Sequence, residues 1–280
     1  MLAWTCPSPS VYTTSSTSPV QLAPAFLCDI QPDEEVEFEG LRQGHEVTVR
    51  RLSARPLVYL VRGWLTHDEC NHIADLAGAQ EFSAAVTSGS DELSHTWRRR
   101  CEVMPLSPHA DELLLEITRD ASELAFGEEA WERRSDLQVE GEDLQVLRYS
   151  KGGEYKPHWD ATWEQPRVAT LLYYLNGVGS TWFPLASSVD ASVAPQPPVS
   201  TADAYGRAAR LSPERDGLRV QPAAAGDALL FYHMDDTSSL DLCSLHAGLP
   251  TPSTKLIASQ FFTANGARPP EAAPGAVADV

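Results

Sequence analysis

From residue 137 onward the chain reads as a series of short apolar runs, and this limits the folds open to it. LQVLRY (144–149), VATLLYYL (168–175), DALLFY (227–232) and KLIASQFF (255–262) are separated by Gly-, Pro- and Ser-rich turns. Runs of this length, rich in β-branched and aromatic residues, predict strands. The earlier part of the chain carries a different signal. LVYLV (57–61) is one more strand, and Thr66-His67-Asp68-Glu69 then forms a capping box, with Leu65 and Cys70 at the staple positions. The helix it opens should run to about Ala77, burying Cys70, Ile73, Leu76 and Ala77, with Gly78 just past its end. A second helix is expected from Ser107 as N-cap and Pro108 as its first residue. Its apolar stripe is Leu113, Leu114, Ile117, Ala121 and Leu124, and Gly127 stops it. Two helices followed by strands predict an α+β domain, with the helices covering one side of a β-sandwich or barrel.

The flanking segments look different. Residues 1–54 are rich in Pro, Ser and Thr and then acidic (Asp33, Glu34, Glu35, Glu37, Glu39), which predicts an irregular leader. The Ala/Pro/Gly-rich stretch 264–280 predicts a disordered tail, leaving 55–263 as the folded domain. Residues 186–216 are a long insertion of low hydrophobicity between strands, read as a lid or a disordered loop. The formal charge of −18 argues against a nucleic-acid partner and against docking to an anionic membrane. No apolar run reaches the roughly 20 residues of a spanning helix. The N-terminus has no basic n-region followed by a long apolar stretch, so a standard signal peptide is not expected. Five scattered cysteines without CxxC spacing argue against a thiolate zinc site.

The chemistry concentrates in YKPHWDATW, which contains His158-x-Asp160. Residues two apart on a strand point to one face, so an imidazole and a carboxylate converge there. His246 lies far downstream, after DALLFY, in CSLHAGLP. Two histidines and one carboxylate on one face of a metal leave its other positions open, as Fe(II) oxygenases require. A structural histidine is the competing reading of so short a pattern. Lys255 opens the last strand, where a solvated edge lysine is the ordinary case. Beside a metal ligand it would instead pair with the far carboxylate of a dicarboxylic co-substrate. Tyr149 is either a core tyrosine or a second donor to that carboxylate.

These blocks also resemble a known family. LQVLRYSKGGEYKPHWD, RVATLLYYLNGV, TWFP, GLRVQPAAAGDALLFY and SLHAGLPTPSTK follow the order and approximate spacing of the prolyl 4-hydroxylases, 2-oxoglutarate dioxygenases, in their catalytic domain. VYLVRGWLTHDECNHIADLA is similar to that family's strand-helix entry, so the resemblance covers about residues 55–263. It implies a double-stranded β-helix (jelly roll) with flanking N-terminal helices. It implies Fe(II) on His158, Asp160 and His246, and 2-oxoglutarate held by Lys255 and Tyr149, with Thr170 as a further pocket residue. Arg167 and Tyr155 fall on the substrate side. Ascorbate as a reductant and the endoplasmic reticulum as compartment are further implications of the family. Several positions depart from its pattern. Gly-Gly-x-Thr is reduced to Gly179-Ser180-Thr181-Trp182, and Phe261 and Thr263 stand where Trp-x-His is frequent.

The expected activity is therefore hydroxylation of a peptidyl proline with release of succinate and CO₂. A Pro-rich peptide in the polyproline II form fits a groove lined by aromatics such as Tyr155, Trp159, Trp163 and Trp182. Trp159 alternates away from the His158/Asp160 face, which favours packing on the other side. The rival readings are an oxygenase acting on another side chain or a small molecule, and a catalytically silent binding module of the same fold. A zinc hydrolase leaves Lys255 and Tyr149 without a role, and HExxH is missing.

Overall fold

A computed structural model describes residues 11–13, 19–21, 23–31, 34–38, 41–85, 99–127, 139–162, 165–187, 196–234 and 239–264. The fold is mixed α/β, built on two antiparallel sheets that face each other. The larger sheet runs Glu35–Phe38, Val47–Ala54, Leu57–Arg62, Ala228–Tyr232, Arg167–Tyr174, Lys255–Ala264, Leu144–Tyr149, Glu102–Leu106 and Ser83–Ala84, with Val139–Gly141 also paired to Lys255–Ala264. The smaller sheet runs Tyr155–His158, His246–Gly248, Thr181–Phe183 and Leu218–Val220.

The continuous apolar runs arise because the large sheet is covered on both faces. Strand alternation sorts their side chains into two cores. Tyr59, Val61, Leu171, Tyr173, Leu230, Tyr232, Ala258 and Phe262 pack toward the helices. Val58, Leu60, Leu172, Tyr174, Leu229, Phe231, Leu147 and Ile257 face the small sheet, where Phe183 and Val220 meet them. If all eight residues of this second layer are buried at about 1.5–3 kcal/mol each, they outweigh any single polar contact in the site.

The first helix spans His67–Gly78, and its capping box is complete: Glu69 N–H donates to Thr66 Oγ1 and Thr66 N–H donates to Glu69 Oε2. Gly78 is the last helical residue, not the one beyond the end, and Ala79 is the C-cap in an ordinary αR conformation. The second helix starts later than predicted. Pro108–Ala110 forms a 3₁₀ turn, and the α-helix is Glu112–Phe126, capped by the Asp111 side chain on the Leu114 N–H. Asp111 is the better cap because its carboxylate also favours the positive end of the helix dipole. Gly127, at φ 93°, ends the helix as expected.

The N-terminal segment is not irregular throughout. Glu35–Phe38 pairs with Val47–Ala54, and Val47–Ala54 pairs with Leu57–Arg62. The run VTVRRLSA alternates buried and half-buried residues, but two consecutive arginines hide that alternation from a count of apolar residues. The 186–216 insertion holds the helix Thr201–Ala208, capped by Ser200 on the Asp203 N–H. The predicted tail beyond Ala264 lies outside the described residues. No helix among the described residues is long and apolar enough to cross a membrane.

Candidate metal and co-substrate site

The site lies between the two sheets, where Phe231 of the larger meets His246 of the smaller. His158 ends one strand of the small sheet, His246 opens its neighbour, and the two residues are register partners. Strand pairing thus closes the sequence gap between them. His158 Nε2 is 3.4 Å from Asp160 Oδ1, and His246 Nε2 is 3.6 Å from Asp160 Oδ2. The ligand atoms of all three residues lie within 4.8 Å of one another.

The donor set suits a divalent metal. His158 Nδ1 is 2.8 Å from Lys156 O, and His246 Nδ1 is 3.0 Å from Ser244 O. A carbonyl only accepts, so both Nδ1 atoms carry the proton and both Nε2 lone pairs are free. Phe183 and Phe231 pack around the His246 ring at 5.5 and 4.8 Å between centroids. Burial disfavours the charged form of His246 and pushes it down to about 3, against the pull of Asp160. Burial also opposes the charge on Asp160, but His246 and then His158 outweigh it and hold the carboxyl well below its usual range. An ionised carboxylate beside imidazoles that already spend Nδ1 on backbone carbonyls is a donor set that a divalent metal would fit.

Lys255 and Tyr149 are direct cross-strand partners, and Lys255 Nζ sits 5.0 Å from the Tyr149 ring centroid. Lys255 is 1% exposed, and among the described residues it has no carboxylate or hydrogen-bond partner. Burial lowers its ammonium to about 8, with Cys101 acting weakly in the opposite sense. Burial likewise holds the Tyr149 hydroxyl well above 10, so it remains a donor. Gly179, at φ +105°, makes room for this lysine: a Cβ there would overlap Lys255 Cδ.

The other predicted residues are placed as follows. Thr170 Oγ1 donates to Asp160 Oδ2 at 2.9 Å, so its hydroxyl is tied to the carboxylate of the candidate triad. The Tyr155 ring stacks on His158 at 3.4 Å with 17° between planes. Arg167 makes two bonds to Glu142, at 2.7 and 2.6 Å, lies over Phe261 at 3.7 Å, and donates to Asp160 O at 3.3 Å. Trp159 points away from the triad, donating to Leu242 O at 3.3 Å and meeting Tyr205 edge-on. Trp182 is buried and donates to Asp216 O at 2.8 Å, so it is part of the scaffold. Trp163 lies outside the described residues.

Sequence reasoning missed Glu142, Arg99, Cys101 and His233. Arg99 Nε donates to Cys101 Sγ at 3.2 Å and its guanidinium lies 4.7 Å from the Tyr155 centroid. His233 carried a usable signal: continuing the alternation Leu229, Phe231 by one step puts it on the site face.

Residues 144–263 match the model of the 2OG-Fe(II) oxygenase superfamily. "Probable prolyl 4-hydroxylase 6" of Arabidopsis thaliana is 30% identical over 216 residues, covering 72% of this chain and 67% of that protein. The chain belongs to the prolyl 4-hydroxylase family of 2OG-Fe(II) oxygenases. "Probable prolyl 4-hydroxylase 7" of the same plant is 30% identical over 219 residues, covering 72% of this chain. The chain spans 60% of that relative's length and 65% of the length of "Probable prolyl 4-hydroxylase 4". Among solved structures it is similar to the viral collagen prolyl hydroxylase of Paramecium Bursaria Chlorella virus-1 in its 2OG complex, at 24% identity. That match covers 73% of this chain and 94% of that one, with a TM-score of 0.48.

Proposed function

We propose that this chain is an Fe(II)- and 2-oxoglutarate-dependent dioxygenase that hydroxylates proline in a Pro-rich peptide. The observation that carries this reading is Lys255, a buried cation with no anion among the described residues, in the same core as a triad of metal-ligand type. A dicarboxylic co-substrate would supply that anion, with Lys255 and Tyr149 holding one carboxylate and the triad holding the metal that its other end would meet. We read the two facing sheets as a jelly-roll core and 55–263 as the dioxygenase domain, extended on its N-terminal side by Glu35–Phe38 and Val47–Ala54.

In this reading His158, Asp160 and His246 hold Fe(II). Lys255 and Tyr149 bind the distal carboxylate of 2-oxoglutarate by a charge-assisted and a neutral hydrogen bond. Bound together there, iron and 2-oxoglutarate supply oxidative decarboxylation to succinate and CO₂, coupled to hydroxylation of a C–H bond. Thr170 steadies Asp160. Tyr155 walls the metal by stacking on His158, and Arg167, pinned by Glu142, faces the peptide side. Phe183 and Phe231 keep water from one side of the metal, which strengthens the polar contacts within. Ascorbate serves as the reductant that keeps the iron in use.

The test is succinate release with Fe(II), 2-oxoglutarate, ascorbate and a library of Pro-rich peptides, with mass spectrometry of the products. A gain of one oxygen on proline is expected. Activity should vanish in His158→Ala and His246→Ala and persist in His109→Ala, which is exposed and remote. Undiminished turnover in either ligand variant would exclude the assignment. Oxygen on another residue would point to a different target. Metal binding without any succinate would identify a silent binding module.

A further inference from the structure

His233 is completely buried and directly follows the Ala228–Tyr232 strand. Its backbone is pinned on both sides: its N–H donates to Val168 O at 3.0 Å, and its carbonyl accepts from the Asp241 N–H at 2.7 Å. Its Nε2 lies 2.8 Å from Thr170 Oγ1, and Thr170 Oγ1 lies 2.9 Å from Asp160 Oδ2. The ring thus touches a metal ligand through one intervening hydroxyl.

The direction of this chain follows from counting protons. A hydroxyl has one. If Thr170 gives it to His233, Asp160 Oδ2 loses the one hydrogen bond that the described residues offer it. A buried carboxylate oxygen without a donor costs about 1–3 kcal/mol or more. If Thr170 gives its proton to Asp160, His233 must donate from Nε2. Nδ1 has no partner among the described residues, so nothing draws the proton to that side. Neutral and charged forms with Nε2–H donate alike, so the order of donors does not depend on titration. His233 is not itself placed as a ligand. Its Nε2 is 3.9 Å from Asp160 Oδ2 and is occupied by Thr170.

We infer that His233 is a positioning residue, which through Thr170 engages Asp160 Oδ2 and leaves Oδ1, 3.4 Å from His158 Nε2, to face the metal. This rests on the metal reading of the triad. A carboxylate held in one orientation loses less freedom when the metal arrives, so the relay raises affinity. Outer partners of metal ligands typically contribute roughly 10- to 100-fold in affinity.

The experiment is Mn(II) binding to the purified full chain, followed by electron paramagnetic resonance, with thermal melting of the metal-free protein as a fold control. His233→Phe keeps a ring and removes the donor, and its Kd should rise roughly 10-fold. His233→Gln restores an N–H donor and should return most of the affinity. Thr170→Val should weaken binding as His233→Phe does, and the double variant should bind no worse than Thr170→Val alone. Wild-type affinity in a folded His233→Phe, or additive losses in the double variant, would overturn the inference. If His233→Phe does not fold, Thr170→Val decides, and an unchanged Kd there overturns it as well. Failure of the metal reading would look different: His158→Ala would then leave Mn(II) binding untouched.

Discussion

Two of the cations near the triad, Arg167 and Lys255, live under opposite conditions. Arg167 is held by both oxygens of Glu142, lies on Phe261, and donates to a backbone carbonyl. Lys255 is more deeply buried and has no anion among the described residues. A buried charge without a partner is costly, and folds rarely retain one without cause. Arg167 is therefore fixed in the framework before any substrate arrives. Lys255 is carried at an energetic cost that a bound carboxylate would offset. The pairing of a cation, more than its presence, separates a structural group from a binding group.

The sharpest way to break this contrast is Lys255→Met, which keeps the aliphatic stem and removes the charge. Losing one member of a buried, hydrogen-bonded charge pair costs about 2–5 kcal/mol, so the Kd for 2-oxoglutarate should rise roughly 30-fold or more. The same variant should raise the melting temperature of the metal-free protein, because an uncompensated charge has gone. A lowered melting temperature, by differential scanning calorimetry, would mean that Lys255 is already satisfied.

Arg167→Met should do the reverse. It strands Glu142 and should destabilise the fold by about 2 kcal/mol, discounted from the fully buried case because Glu142 is partly exposed. Urea unfolding measures this, and a neutral result would remove the distinction drawn between the two cations.

A pH series provides a third test. The Lys255 ammonium falls from its ordinary 10.5 to about 8 on burial. Between those values the unfolded chain binds a proton that the folded one lacks, so Lys255 makes the metal-free protein gain stability with rising pH in that window. Affinity for 2-oxoglutarate should move the other way and drop as pH rises through about 8, because the anion needs the charged lysine. Calorimetric titrations from pH 7 to 9.5 would show it.

The smallest expected effect belongs to Gly179→Ala. The methyl would enter the space of the lysine stem, at a φ that L-residues disfavour. A stability loss of about 1–2 kcal/mol and a several-fold weaker 2-oxoglutarate affinity are expected. Unchanged binding would show that the lysine can be displaced without loss.

Much of the fold and site was legible from one dimension. The capping box at Thr66, the glycine stop at Gly127 and the strands around Tyr149, Thr170 and Lys255 are local in cause, so short windows reveal them. The three residues that converge in the candidate triad could be named because metal ligation restricts residue type. Other features depended on geometry that a count of apolar residues in short windows does not reveal. Asp111 displaced Ser107 as the cap through the geometry of the turn before the helix. Val47–Ala54 became a strand because Leu57–Arg62 and Glu35–Phe38 pair with it, despite its two arginines.

By itself, the sequence determined the strand periodicity, the candidate ligand set His158, Asp160 and His246, and the presence of a lysine at the start of the last strand. The tertiary structure decided which charges are paired. Glu142 satisfies Arg167, Gly179 opens the space for Lys255, and His233 reaches Asp160 through Thr170. Backbone preference and ligand chemistry are written residue by residue. Burial and hydrogen-bond satisfaction arise only once distant strands are brought side by side.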